Sequence, residues 1–150
     1  MKLQIENNQN KIKIDKRRIR STVLRIMRIL DCADKEISLS FVDDEKIKEL
    51  NKEYLGKDKP TNVISFSLQE GEYSDINPQI MGDIVISVET AQRDALFGNF
   101  TISQEIDFLI IHGILHLLGY NHENTTREET NKMREKEKAL FTAVCGLTTV

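Results

Sequence analysis

The sequence predicts an α+β fold: a single domain over residues 1–150 in which a small mixed sheet of about four strands packs with helices. A chain of 150 residues with 39% hydrophobic side chains can bury one sizeable core. Segments with the alternation of half-buried strands interleave with segments of helical spacing. No linker, internal repeat or low-complexity tract divides them.

The first half of the chain switches between the two patterns. Residues 3–14 begin with apolar alternation and predict a short strand or extended segment. Helical spacing over 15–30 predicts an amphipathic helix. Residues 37–41 alternate as a strand, and Asp43 or Asp44 can cap the helix that follows.

Two more strands are predicted in the middle of the chain, at 61–67 and 82–86. The polar stretch 71–78 between them predicts a surface loop. Helical spacing returns over 88–96 and ends at Gly98.

The last two helices have capping signals at their starts. Thr101 and Gln104 have capping-box spacing and open a mostly apolar helix that reaches Leu118, where Gly119 should end it. We expect this helix at the buried centre. A final helix begins near residues 125–126. Its apolar face consists of Met133, Leu140, Phe141 and Val144.

Composition excludes several classes of protein. The net charge of -3 and the pI near 5.7 argue against a surface that attracts nucleic acid everywhere, so any contact with RNA or DNA must use a local patch. DNA is not expected as a partner. Cys32 and Cys145 form no CxxC pair and fit small buried residues in a reducing, cytoplasmic setting. We expect neither an export signal nor a membrane span, because the longest apolar stretch, 108–118, is too short.

All three histidines of the chain lie between residues 112 and 122. Residues four apart stand one above the other on a helix, so His112 and His116 can reach one ion. Gly119 can turn the chain so that His122 returns as a third ligand. A lone histidine is more often satisfied by backbone groups, but three at this spacing predict a metal site.

Three imidazoles around zinc leave the fourth tetrahedral position open to water, which is typical of catalytic sites. A cation there lowers the pKa of bound water from ~15.7 to roughly 7 and polarises a phosphoryl or carbonyl oxygen. The pattern therefore predicts one Zn²⁺ per chain and hydrolysis as the reaction class. Imidazole also suits nickel, copper and iron, so another divalent transition metal stays possible.

The spacing His-x-x-x-His-x-x-Gly-x-x-His is that of the metzincin peptidases, which place a general-base glutamate directly after the first histidine. Here that position is Gly113. A glycine can neither accept a proton nor orient water, so a zinc peptidase is disfavoured.

The ordered combination of motifs resembles the bacterial YbeY family of metal-dependent endoribonucleases, over most of the chain. The resemblance rests on residues 56–66 (GKDKPTNVISF), 82–86 (GDIVI) and 112–122 (HGILHLLGYNH). Met133 and Glu137 in the last helix also belong to it.

This resemblance implies a zincin-like domain with zinc held by His112, His116 and His122. It implies a cytoplasmic, single-strand-specific endoribonuclease in 16S ribosomal RNA 3′-end maturation and ribosome quality control. Its partners would be ribosomal RNA or a precursor, and the ribosome or its small subunit. Cleavage would use metal-activated water, or metal-assisted attack by a ribose hydroxyl.

The chain departs from the family pattern at two positions. The family usually has an arginine directly before Gly56, where this chain has Leu55, and commonly an aspartate where it has Asn121. Lysines at 57 and 59 offer charge near Leu55 without the bidentate fork of an arginine.

Further catalytic candidates are Lys57, Thr61 and Asn62, the last two through the resemblance, with ordinary strand alternation as the alternative. Asp83 can support a metal ligand through a hydrogen bond, although a turn-capping role is favoured. No general base is assigned. The acidic side chains close to His122 in sequence are Glu123, Glu128 and Glu129.

The first predicted helix is strongly basic. Its cations can hold an RNA backbone through a salt-dependent interaction, or can form an ordinary solvated face. The RNA-binding candidates are Lys16, Arg17, Arg18, Arg20, Arg25 and Arg28.

Two other functions stay open. One is a non-catalytic RNA-binding ribosome-assembly factor whose metal orders the end of a helix. The other, less favoured because of Gly113, is a zinc peptidase.

Overall fold

The computed structural model describes residues 2–68, 79–120 and 126–145. These ranges contain four strands and five helices, which confirms the predicted α+β class. The elements are β1 (Lys2–Asn7), α1 (Lys16–Ile29), β2 (Glu36–Val42), α2 (Asp44–Leu55), β3 (Val63–Ser67), β4 (Ile80–Ser87), α3 (Val88–Phe97), α4 (Ile102–Leu117) and α5 (Arg127–Cys145).

The four strands form one mixed sheet in the order β1-β2-β4-β3. The first three are mutually parallel, and β3 runs antiparallel to β4 at the edge. Leu39 at the centre of β2 pairs with Ile5 on one side and Ile84 on the other. Strand β3 is an edge strand of the described sheet and contacts α4, the helix that carries two histidines.

The larger core lies on the face of the sheet that α1, α4 and α5 cover. Alternate residues of β2, Ile37, Leu39 and Phe41, point into it and are almost fully buried. On the other face, α2 covers a smaller cluster in which Ile47 packs with Val85 and other apolar side chains. The sheet thus separates α2 from the histidine-bearing helix.

Side-chain caps begin the helices where the sequence places them. Asp15 accepts from the Arg18 amide at the start of α1, and Asp43 rather than Asp44 caps α2. Thr101 and Gln104 form the predicted capping box of α4. Near the start of α5 the Thr126 hydroxyl accepts from the Glu129 amide at 3.1 Å.

Two predicted strands are shorter than expected. The first ends at Asn7, because Gln9 then folds the chain by accepting hydrogen bonds from the amides of Lys11 and Ile12. The third begins at Val63 rather than at residue 61. The predicted loop at 71–78 lies outside the described residues.

The two cysteines are free thiols, buried at Cys32 and half-buried at Cys145, as predicted for small apolar residues. Burial, together with the neighbouring Asp107 carboxylate, raises the pKa of the Cys145 thiol to about 11. In the described part of the chain, no helix is long and apolar enough to cross a membrane.

Candidate metal centre

Helix α4 brings the first two histidines of the predicted site together. The Nε2 atoms of His112 and His116 lie 3.0 Å apart, with ring centroids separated by 4.5 Å. Both residues are half-buried, whereas Ile111 and Leu115 on the same helix are fully buried. The i, i+4 spacing therefore gives two converging imidazoles at the edge of the core.

The separation of these nitrogens fits a shared metal ion. Two imidazole nitrogens that bind one tetrahedral zinc at about 2.0–2.1 Å lie about 3.3 Å from each other. The observed 3.0 Å is close to that value. The two imidazoles thus fit a single divalent ion with little movement of either ring.

The third predicted ligand, His122, lies outside the described residues, as do Asn121 and Glu123. Within the described ranges, no group of three or more His, Cys, Asp or Glu side chains is arranged to hold a metal. The three-histidine site as a whole therefore stays a prediction.

Helix α4 ends just before Gly119, as predicted. Gly119 has φ +99°, its amide donates to the His116 carbonyl, and the Tyr120 amide donates to the Leu115 carbonyl. These two bonds form a Schellman-type helix end. A depression of about 260 Å³ next to the turn is lined in part by Tyr120 and Glu129.

Gly113 allows the histidine-bearing turn to lie directly on the sheet. A Cβ atom there would be 2.9 Å from both Cδ1 and Cγ2 of Ile84, closer than carbon atoms pack. The Ser65 hydroxyl of β3 also donates to the Gly113 carbonyl, at 3.4 Å. A glutamate at 113 would be forced against β4, so this packing gives a physical reason for the missing peptidase base.

The second nitrogen of His112 has an acidic partner from another helix. His112 Nδ1 lies 3.0 Å from Oε1 of Glu137, which is buried on α5. Sequence reasoning missed this contact and noted Glu137 only within the family resemblance. A signal existed, because Glu137 interrupts the apolar face of α5 between Met133 and Leu140.

An aromatic cluster fixes the ring plane of His112. Phe108, one turn earlier on α4, stacks on the imidazole at a centroid distance of 6.5 Å. Phe141 of α5 packs edge-on against Phe108, and Phe100 packs against Phe141. The first predicted ligand, His112, therefore lies on a packed helix.

The other catalytic candidates lie around the start of β3. Asn62 donates to the Asp94 carboxylate at 3.3 Å, and its carbonyl accepts from the Ser87 amide, so it joins β3 to β4 and α3. Thr61 is half-buried beside it, and Lys57 is exposed in the preceding turn. These contacts give Asn62 a structural role, and the proposed catalytic roles of Asn62, Thr61 and Lys57 stay predictions.

Asp83 lies within β4, so neither the favoured turn-capping role nor the alternative, support of a described histidine, agrees with the structure. Ile84 faces Gly113 of α4, so the neighbouring Asp83 points to the opposite face of the sheet. There it lines a groove of about 480 Å³ with Ser38 and Tyr54. The sheet therefore separates Asp83 from both described histidines.

Half of the RNA-binding candidates on α1 bind the protein itself. Arg18 forms a bidentate ion pair with Asp107, with both N···O distances 3.1 Å. Arg20 donates to the Leu3 carbonyl, and Arg25 donates to the last carbonyls of α5. Neither of the two interpretations of the basic helix anticipated these bonds. The exposed cations that remain are Lys16, Arg17 and Arg28.

Comparisons with known proteins agree with the motif-based resemblance. The family model described as Endoribonuclease YbeY matches residues 4–144. A protein of that name from Syntrophus aciditrophicus is 60% identical over 146 residues, covering 97% of this chain and 91% of its own. Another from Syntrophotalea carbinolica is 44% identical, with 95% of both chains covered.

The fold is also found in a solved structure. A Thermotoga maritima protein, determined in solution, matches with a TM-score of 0.67 at 27% sequence identity. The match covers 96% of this chain and 89% of that protein. The arrangement of sheet and helices is therefore shared beyond the more similar sequences.

Proposed function

This chain belongs to the YbeY family of endoribonucleases, and from that premise we propose that it cleaves single-stranded RNA at a metal centre on α4. The observation that carries the proposal is the convergence of the His112 and His116 Nε2 atoms. Two half-buried imidazoles whose Nε2 atoms lie 3.0 Å apart have few roles other than sharing a proton or binding the same cation.

The metal would be held by His112, His116 and His122, and zinc is the ion that we propose. A divalent ion bound there supplies an activated water and stabilises negative charge on the phosphate. The chain's own residues do the rest. Glu137 and Phe108 hold the first imidazole in place, and Gly113 seats the helix on β4.

The substrate that we propose is ribosomal RNA or its precursor, at the 3′ end of 16S RNA, with the ribosome or its small subunit as partner in the cytoplasm. Family membership supports this choice. The exposed cations of α1, Lys16, Arg17 and Arg28, support contact with a phosphate backbone despite the net charge of -3.

A direct test compares RNA cleavage by the wild-type chain and by a His112→Ala, His116→Ala double variant, both purified without a metal-binding tag. We expect about one zinc per chain by elemental analysis in the wild type only. We also expect metal-dependent cleavage of a labelled single-stranded RNA that the variant and chelator-treated protein lack. Equal cleavage by wild type and variant would contradict the proposal.

A second candidate function is a non-catalytic RNA-binding assembly factor, and the observation that favours it is Leu55 at the position of the family's arginine. The same assay separates the two. Zinc bound by the wild type, with RNA binding but no cleavage above that of the double variant, would support the assembly factor.

A further inference from the structure

Glu137 is a carboxylate in a place where apolar side chains are expected. It is 8% exposed, and its neighbours on the inward face of α5, Met133 and Leu140, are at most 2% exposed. Moving a carboxylate out of water is costly unless hydrogen bonds compensate. The burial of Glu137 therefore needs a compensating hydrogen bond, and the contact with His112 supplies one.

The contact determines which nitrogen of His112 carries the proton. An imidazole that donates Nδ1–H to a carboxylate has a lone pair on Nε2, and Nε2 is the atom that faces His116 at 3.0 Å. The opposite tautomer would place the Nδ1 lone pair against the Glu137 carboxylate, which is repulsive. The carboxylate and the stacked Phe108 ring together fix both the tautomer and the orientation of the ring.

We propose that Glu137 is a positioning residue of the metal centre: it holds the Nδ1 proton of His112 and thereby presents Nε2 as a ligand. This inference rests on the proposed function in so far as His112 binds a metal. Carboxylates in this relation to a metal-binding histidine commonly contribute 10- to 100-fold in metal affinity. The metal affinity of α4 thus depends on a residue of α5, 25 positions later in the chain.

The test uses Glu137→Leu, which removes the acceptor, and Glu137→Gln, whose amide oxygen can still accept the Nδ1 proton. Glu135→Leu is the matched control, an exposed acid on the same helix. Zinc affinity is measured by competition with a chromophoric chelator. We expect roughly a 10- to 100-fold loss for Glu137→Leu, a smaller loss for Glu137→Gln, and a change within twofold for Glu135→Leu.

A second readout separates positioning from a purely structural role. The ¹⁵N chemical shifts of His112, recorded at pH 8 on metal-free protein, report which ring nitrogen is protonated. We expect the Nδ1–H form in wild type and Glu137→Gln, and a rise of the Nε2–H form in Glu137→Leu. Loss of zinc affinity in Glu137→Leu with His112 still in the Nδ1–H form would show a purely structural role and overturn the proposal. Zinc affinity within twofold of wild type in Glu137→Leu would overturn it as well.

These outcomes are distinguishable from failure of the nuclease. Zinc binding that Glu137→Leu weakens, in a protein that cleaves no RNA, supports the positioning role and contradicts the proposed activity. Metal-dependent RNA cleavage by the wild type, together with an unchanged zinc affinity in Glu137→Leu, supports the proposed activity and contradicts the positioning role.

Discussion

Leu55 ends α2 with 55% of its surface exposed, directly before Gly56, where the family usually has an arginine. An exposed position accepts a longer side chain without repacking. Leu55→Arg should therefore leave the free energy of unfolding within about 0.5 kcal/mol of wild type.

We expect Leu55→Arg to raise the rate of single-stranded RNA cleavage by roughly 10-fold, because a planar guanidinium can stabilise charge on the phosphate. Leu55→Lys is the control for charge alone and should give a smaller gain. The measurement is the initial rate of RNA cleavage by each variant at saturating metal. An unchanged or lower rate for Leu55→Arg would contradict this expectation.

At the same scale, the convergence of His112 and His116 could be predicted from the sequence and their contacts with other helices could not. His112 and His116 follow from the geometry of one helix, which sequence spacing encodes directly. Glu137 reaches His112 from α5, and Asp107 pairs with Arg18 of α1, so both contacts depend on tertiary packing. Acidic residues on apolar helix faces were the available signal.

Helix α1 stabilises the fold through Arg18 and carries the proposed RNA contact of Arg17, and single substitutions should separate these two roles. The Arg18 guanidinium is partly exposed but binds Asp107, whose side chain is only 7% exposed. Arg18→Ala leaves that carboxylate without its cation, and we expect the free energy of unfolding to fall by about 2 kcal/mol, between the values for surface and buried ion pairs.

The exposed Arg17 is the matched control on the same helix. Arg17→Ala should change the free energy of unfolding by less than about 0.5 kcal/mol while weakening RNA binding. Urea unfolding and RNA titration at a temperature where both variants are folded give the comparison. A larger loss of stability for Arg17→Ala than for Arg18→Ala would show that this division of α1 is wrong.

Helices α2 and α3 are joined by hydrogen bonds to Asp44, which accepts from Ser87 and Thr90, both at 2.6 Å, and from Arg93. Desolvation opposes ionisation of Asp44, but the three hydrogen bonds outweigh it and lower the pKa of the carboxyl below its ordinary value of 3.8.

A carboxyl with a lowered pKa stabilises the fold above its unfolded pKa and loses that contribution as pH falls through the folded pKa. We therefore expect Asp44→Asn to reduce the free energy of unfolding by about 1–2 kcal/mol at pH 7. The difference from wild type should shrink as the pH falls below about 4. Asp58→Asn, at an exposed carboxylate, is the control in urea titrations across pH. A difference for Asp44→Asn that is independent of pH would contradict the assignment.

Elements were predicted better than their arrangement. Capping residues and apolar spacing are local, so both ends of α1 and α4 and the start of α2 agree with the sequence within a residue or two. The order β1-β2-β4-β3, with β3 reversed at the edge, depends on pairing between distant segments. Nothing in the alternation of a strand specifies its neighbour.

Across the whole molecule, the distribution of charge matters more for RNA than the net value of -3. If Lys16, Arg17 and Arg28 each neutralise one phosphate, replacing all three with glutamine should reduce the slope of log affinity against log salt by about 2 for single-stranded RNA. Fluorescence anisotropy at several salt concentrations measures this slope.

A matched triple variant, Lys46→Gln, Lys48→Gln and Lys52→Gln, removes the same charge from exposed positions on α2, on the other face of the sheet. Its salt slope should stay near that of wild type. Equal slopes for the two triple variants would exclude α1 as the local RNA-binding patch.

The hydrogen bond between His112 and Glu137 also has a consequence for biosynthesis. A ribosome adds residues from the amino end, so both imidazoles of α4 are made before the carboxylate that orients one of them. In a nascent chain that does not yet contain α5, the proposed acceptor for the Nδ1 proton of His112 is missing. If Glu137 positions His112 as proposed, the order of translation gives the chain its full metal affinity only after its own synthesis has passed Glu137.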